Sequence, residues 1–208
     1  KLATGDVIGL LHSDDFYADE DVLKKYNEIF TLYSGSESGM TAHVDAVYSD
    51  LVYVKNKSRV KSQKSTDYTN FQSTNHSILR YWKTQKKEFT TKTQRHKALK
   101  RGWMPPHPTL FVRKEIFEKY GCYRTDMKIA ADYEMILRLL YKNKITSYYL
   151  QVTTYIMTIG GASNKSLKNI FQKSKEDYRA MKINGINFPL FTLMYKNFRK
   201  LPQFFARE

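Results

Sequence analysis

The 208 residues are 41% hydrophobic and 14% aromatic, enough for one cored domain with an appendage, and no apolar run nears the ~20 residues of a membrane-spanning helix. Cys122 is the only cysteine, which excludes an intrachain disulfide and a thiolate metal cluster; with no signal-peptide layout in Lys1-Leu2-Ala3-Thr4-Gly5-Asp6, a reducing, cytoplasmic setting is expected. Lysine and arginine number 35 against 20 acids, and the net charge of +15 concentrates anionic partners: nucleic acid, phosphorylated small molecules or anionic lipid.

The apolar run Val7-Ile8-Gly9-Leu10-Leu11, bounded by Asp6 and by His12-Ser13-Asp14-Asp15, reads as a buried strand ending in a carboxylate pair. Ligands of open α/β sheets bind at the carboxyl ends of strands, where two acids in a turn offer hard oxygen ligands to Mg²⁺ or Mn²⁺. The plainer reading is a solvated turn, with Asp19 capping the next helix. In that helix Val22, Leu23, Tyr26, Ile29 and Phe30 recur at helical spacing. After a loop at residues 34–39, Val44, Ala46, Tyr48, Val52 and Val54 predict a strand, with Asn56-Lys57-Ser58 as a hairpin turn. Asp50, in mid-strand, reads as an exposed strand acid rather than a ligand.

Between Ser62 and Thr93 periodicity is weak and the neighbourhood basic, the pattern of a functional loop or lid. Gly102-Trp103-Met104-Pro105-Pro106-His107-Pro108 is a helix-forbidding approach to a short strand at 109–113, and it holds His107 between prolines, available to a ligand or to backbone. A short helix from Glu115 to Tyr120 closes at Gly121. From Lys128 to Leu140, Ala131, Met135, Ile136, Leu139 and Leu140 give a helical apolar face, with Asp132 at its start as a cap or a functional carboxylate. Tyr148 to Met157 reads as a strand that runs into Thr158-Ile159-Gly160-Gly161-Ala162-Ser163, a turn whose amides and hydroxyl suit a phosphate. Leu167, Ile170, Phe171, Ser174, Tyr178 and Met181 mark a long helix ending near Asn184-Gly185. Beyond it, Phe188, Leu190, Phe191, Met194 and Phe198 mix with Lys196, Arg199, Lys200 and Arg207 in a basic amphipathic tail. Such a tail either docks its apolar face on the domain or lies on an anionic membrane.

Leu2-Ala3-Thr4-Gly5-Asp6-Val7-Ile8-Gly9-Leu10-Leu11-His12-Ser13-Asp14-Asp15, His107-Pro108-Thr109-Leu110-Phe111-Val112-Arg113-Lys114 and Ile129-Ala130-Ala131-Asp132-Tyr133-Glu134, in this order and spacing, resemble glycosyltransferase family two, in particular its bacterial surface-polysaccharide members. The resemblance implies an α/β fold: an incomplete GT-A (Rossmann-like) mixed sheet flanked by helices, with a C-terminal helical extension. Residues 1–160 would form the metal- and acceptor-binding part and 161–208 the extension. By the same resemblance Asp15 is the metal-ligating carboxylate of a DXD-type motif, Asp14 and Ser13 lie beside the donor, and Asp132 takes the proton from the acceptor hydroxyl. His107, Gly160, Gly161 and Ser163 are the candidates for acceptor or phosphate binding. The implied cofactor is Mn²⁺ or Mg²⁺, the donor a nucleotide sugar and the acceptor a saccharide or lipid-linked saccharide.

Family members open with a further strand and βα segment that hold the nucleobase, whereas these residues begin at the strand leading to the Asp pair, so weak donor binding and an inactive fragment are expected. An unpaired sheet edge would invite homo-oligomerisation, and residues 186–208 would give peripheral contact at the inner face of the plasma membrane. The contrasting reading is a non-catalytic basic module that binds anionic lipid or nucleic acid, although no specific nucleic-acid motif is present.

Overall fold

A long, doubly covered strand sets the architecture of the computed structural model, which describes residues 3–13, 15–34, 43–56, 76–82, 92–158 and 167–198. Short outer strands are numbered with it in chain order: β1 (Val7–Ile8), β2 (Phe16–Tyr17), β3 (Ala46–Asn56), β4 (His76–Trp82), β5 (Phe111–Arg113) and β6 (Ser147–Thr158). The central strand is β3, and β6 runs parallel to it along one edge. The opposite edge is shared, β5 pairing antiparallel with Ala46 and Val47 and β4 antiparallel with the stretch from Leu51 to Asn56. The order is β1-β5-β3-β6-β2, with β4 beside β3, so the protein is α/β with a mixed sheet.

Alternation along β3 sends side chains to two layers. Val47, with Phe111 of β5, meets helix α1 (Val22–Leu32) through Val22, Tyr26 and Phe30. Ala46 and Tyr48, with Val112, belong to the larger core on the other face. That core is filled by α4 (Ala131–Ile136), the turns that follow it, and Ala180 and Met181 of α5 (Leu167–Ile183). The helix expected in the C-terminal extension thus shares the core of the sheet. Between these elements lie α2 (Lys92–Lys100) and α3 (Lys114–Tyr120), and α6 (Pro189–Phe198) comes last. Among the described residues no helix is long and apolar enough to cross a membrane.

Four expectations need correction. The run Val7–Leu11 gives two residues of strand rather than five, and Leu11 is 49% exposed. Its strand is the end of the sheet and pairs with β5 alone, so the chain leaves the ladder after Ile8. Asp50 is buried, not exposed, because β3 is covered on both faces; its Oδ1 accepts a hydrogen bond of 2.7 Å from the Tyr149 hydroxyl. The weakly patterned region 62–93 contains β4, since an outer strand held by backbone pairing to β3 needs no apolar alternation of its own. The expected turn at Asn56-Lys57-Ser58 runs from the end of β3 into residues outside the described set. Finally, the helix predicted to Leu140 is regular only to Ile136; from Leu137 to Lys142 the winding widens, and the Asn143 amide donates to the Arg138 carbonyl at 3.0 Å.

Candidate active site

The proline-framed turn is fixed from beneath. His107–Thr109 forms one 3₁₀ turn, and Thr109, fully buried, is the peg that fastens it. The Thr109 hydroxyl oxygen accepts the Ser49 amide at 3.0 Å and lies 2.9 Å from the Ser49 and Pro106 carbonyls. From α1 the Tyr26 hydroxyl donates to the Thr109 carbonyl at 2.7 Å and also meets Ser49 and Thr154. Burial pushes the Tyr26 hydroxyl up to about 12, so it stays a neutral donor. This network sits where the β3–β6 pairing shifts register around Asp50, a bulge that interrupts the ladder beside the turn. His107 therefore projects from a rigid platform rather than from a mobile loop.

Asp132 reaches the same place from α4. The helix begins after Ala130, and no side chain on α4 caps it. Its start is instead held by a carboxylate from another helix: Glu176 of α5 accepts the amides of Lys128, Ile129 and Ala130 at 3.1, 2.8 and 2.9 Å. Those amides outweigh the cost of burying Glu176 and keep its carboxyl below the usual range. Asp132 is thereby relieved of the capping role, and its Oδ2 lies 3.2 Å from Nδ1 of His107. Both side chains keep some access to solvent, 24% for His107 and 27% for Asp132.

The Asp pair completes the cluster from the other side. Beyond β1 the His12 amide donates to the Tyr155 hydroxyl at 3.1 Å, and the Asp15 amide closes a turn on the His12 carbonyl at 3.1 Å. The rings of His12 and His107 meet edge to face with centroids 6.1 Å apart. Asp15 is buried, and its Oδ1 accepts the Thr158 amide at 3.1 Å. Thr158 is the last residue of β6, so this bond ties the Asp turn to the start of the Gly-Gly segment. Burial foremost, then the nearby Asp15 charge, raises the Tyr155 hydroxyl well above its ordinary value, and Tyr155 remains protonated.

Electrostatics single out His107. Burial lowers its pKa; the Asp132 charge opposes this, His12 adds to it, Asp15 opposes and Lys173 adds. The net direction is down, so the imidazole is neutral at physiological pH. Tyr123, nearby, is held protonated as well, pushed up to about 12 by burial and then by Asp132. The arrangement gathers two carboxylates, two imidazoles and a lysine from four separate segments.

Of the sequence candidates, the structure brings Asp15, His107 and Asp132 together. Ser13 lies on the exposed turn between His12 and Asp15, while Asp14, Gly160, Gly161 and Ser163 lie outside the described residues. Sequence reasoning missed His12, Tyr155, Lys173 and Glu176 as parts of the site. Position beside the Asp pair was a signal for His12; Tyr155 lay in a Tyr- and Thr-rich strand and Glu176 in a charged helix, where nothing separates them from ordinary surface residues. Among the described residues no three His, Cys, Asp or Glu side chains form a preassembled metal cage. Asp15 suits an ion that takes one or two carboxylates and draws its other ligands from substrate phosphates, the usual habit of Mg²⁺. Compared with known proteins, the chain matches no protein-family model and no curated protein sequence.

Proposed function

We propose that this protein is the metal- and acceptor-binding part of an inverting GT-A-type glycosyltransferase of family two, which moves a sugar from a nucleoside-diphosphate donor to a saccharide or lipid-linked saccharide hydroxyl. One observation carries the reading: the three stretches that resemble the family are distant in sequence and converge on His107, with Asp132 3.2 Å from its ring and Asp15 close enough to act on its charge. In this reading Asp15 would hold Mg²⁺ or Mn²⁺ against the donor diphosphate, with Asp14 beside the donor. Such an ion supplies Lewis-acid stabilisation of the charge that develops on the leaving nucleoside diphosphate.

The chain's own residues account for the remaining steps. Asp132 accepts the proton of the attacking hydroxyl, which forms the new glycosidic bond as the sugar–phosphate bond breaks on the opposite face. Neutral His107 holds the Asp132 carboxylate in place without neutralising it. Burial of Asp15 and its tie to Thr158 fix the ligand's direction before substrate arrives.

Titration calorimetry of a nucleoside diphosphate with and without Mn²⁺, on a chain that also carries the nucleobase-binding segment, tests this. The parent chain is expected to bind in a metal-dependent manner and Asp15→Ala to lose that dependence. Metal-independent binding by the parent, or undiminished metal-dependent binding by the variant, rejects the reading.

A further inference from the structure

The last helix is docked mainly by polar side chains. Among the described side chains of α6, Thr192 and Lys196 are buried, Lys196 only 7% exposed, and Leu193 packs on the core beside them. The Thr192 hydroxyl donates to the Lys100 carbonyl at the end of α2 at 2.9 Å, and Lys196 Nζ donates to Asp177 of α5 at 3.0 Å while lying 3.3 Å above the Tyr133 ring. The Lys196 stem passes so close to Gly102, at φ +77°, that a Cβ there would stand 2.9 Å from the lysine's own Cβ. With the polar side inward, Phe188, Leu190, Phe191, Met194 and Phe198 are left outward, Phe191 at 71% exposure. The sequence alternative in which the tail docks its apolar face on the domain is thus reversed.

Helix α5, tied to α6 through Asp177 and Lys196, carries an exposed row of its own. Lys168, Phe171, Lys175, Tyr178 and Lys182 follow one another at three- and four-residue spacing, all exposed, Phe171 at 74%. Across residues 167–198 the only carboxylates are Glu176 and Asp177, and both are buried. Glu176 is bound to backbone amides and Asp177 to Lys173 and Lys196. Arg179 is answered by Asp126 at 2.6 Å, which leaves Lys168, Lys175 and Lys182 as the exposed cations beside the aromatic residues.

We propose that the outer surface of α5 and α6 docks on an anionic lipid bilayer, the aromatic and aliphatic side chains entering the headgroup–acyl boundary and the lysines meeting lipid phosphates. Large apolar side chains interleaved with lysine suit that boundary. They suit a protein partner poorly, because lysine is depleted from the centres of protein interfaces. A second copy of this chain is disfavoured by charge, since a two-fold contact would set lysine against lysine on molecules that each carry +15. The inference does not depend on the catalytic reading.

Co-sedimentation of the full chain with phosphatidylglycerol–phosphatidylcholine vesicles, and with phosphatidylcholine alone, tests it. Binding should require the anionic lipid and weaken as salt rises. Lys175→Glu with Lys182→Glu should reduce partitioning about thirtyfold or more, and Phe191→Ser with Phe198→Ser about tenfold or more. Both pairs are exposed, so circular dichroism and thermal melting should match the parent. If the phenylalanine variant misfolds, the salt titration and the lysine variant decide. No binding by the parent, equal binding to phosphatidylcholine alone, or self-association that the lysine variant leaves intact without lipid binding would overturn the proposal.

Discussion

Two of the acid–base contacts that join distant elements among the described residues are nearly equal in length and opposite in setting. His107 and Asp132 stand 3.2 Å apart with about a quarter of each side chain open to solvent. Lys196 and Asp177 stand 3.0 Å apart at 7% and 3% exposure. The second pair is closed in: Asp177 Oδ2 also takes Lys173 at 2.8 Å, and the Lys196 ammonium group covers the Tyr133 ring. Its arrangement serves to fasten α6 on α5. The first pair is rigidly mounted yet open, with its neutral imidazole beside an uncapped carboxylate. Burial of both charges against each other is the mark of a structural contact, and rigid mounting with retained access is what a reacting group requires.

The sharpest way to break this contrast is Asp132→Asn. The amide keeps the shape but cannot accept a proton, so in a chain that also carries the nucleobase-binding segment turnover of a nucleotide-sugar donor at saturation should fall by ~10²–10⁴ while donor affinity is retained. Unchanged turnover would put the open pair in the same structural class as the closed one. Next in size is Lys196→Met, which removes one partner of the closed pair. Denaturant titration should show a loss of about 3 kcal/mol, with Lys173 still compensating Asp177 and turnover per folded molecule unchanged.

The smallest effect is a pH dependence. The folded pKa of His107 lies below its ordinary value of 6.5, so between the two values the unfolded chain binds more protons. The stability that His107 contributes is therefore present above pH 6.5 and is lost as the pH falls through the folded pKa. Comparing denaturant midpoints at pH 7.5 and 5.5, His107→Gln should flatten the acid-side decline. Part of the decline will remain, because burial depresses His96 in the same direction.

The apolar periodicities of residues 22–30, 46–54, 131–140 and 167–181 fix the main helices and strands, because side chains must segregate to one face or two whatever the packing partners are. Gly121 and Gly185 mark helix ends, at φ +90° and +78°, since other residues rarely adopt such backbones. The chemistry-bearing residues Asp15, His107 and Asp132 also stand out in the chain, through the turn, proline and alanine neighbours around them. Their partners do not. That Glu176 frees Asp132 from capping, that Tyr155 holds the His12 turn, and that Asp50 is buried are facts of contacts between residues far apart in the chain, and no local pattern encodes them. The inversion of α6 has the same origin: its sequence shows two faces, but a single buried carboxylate on α5 decides which of them turns inward.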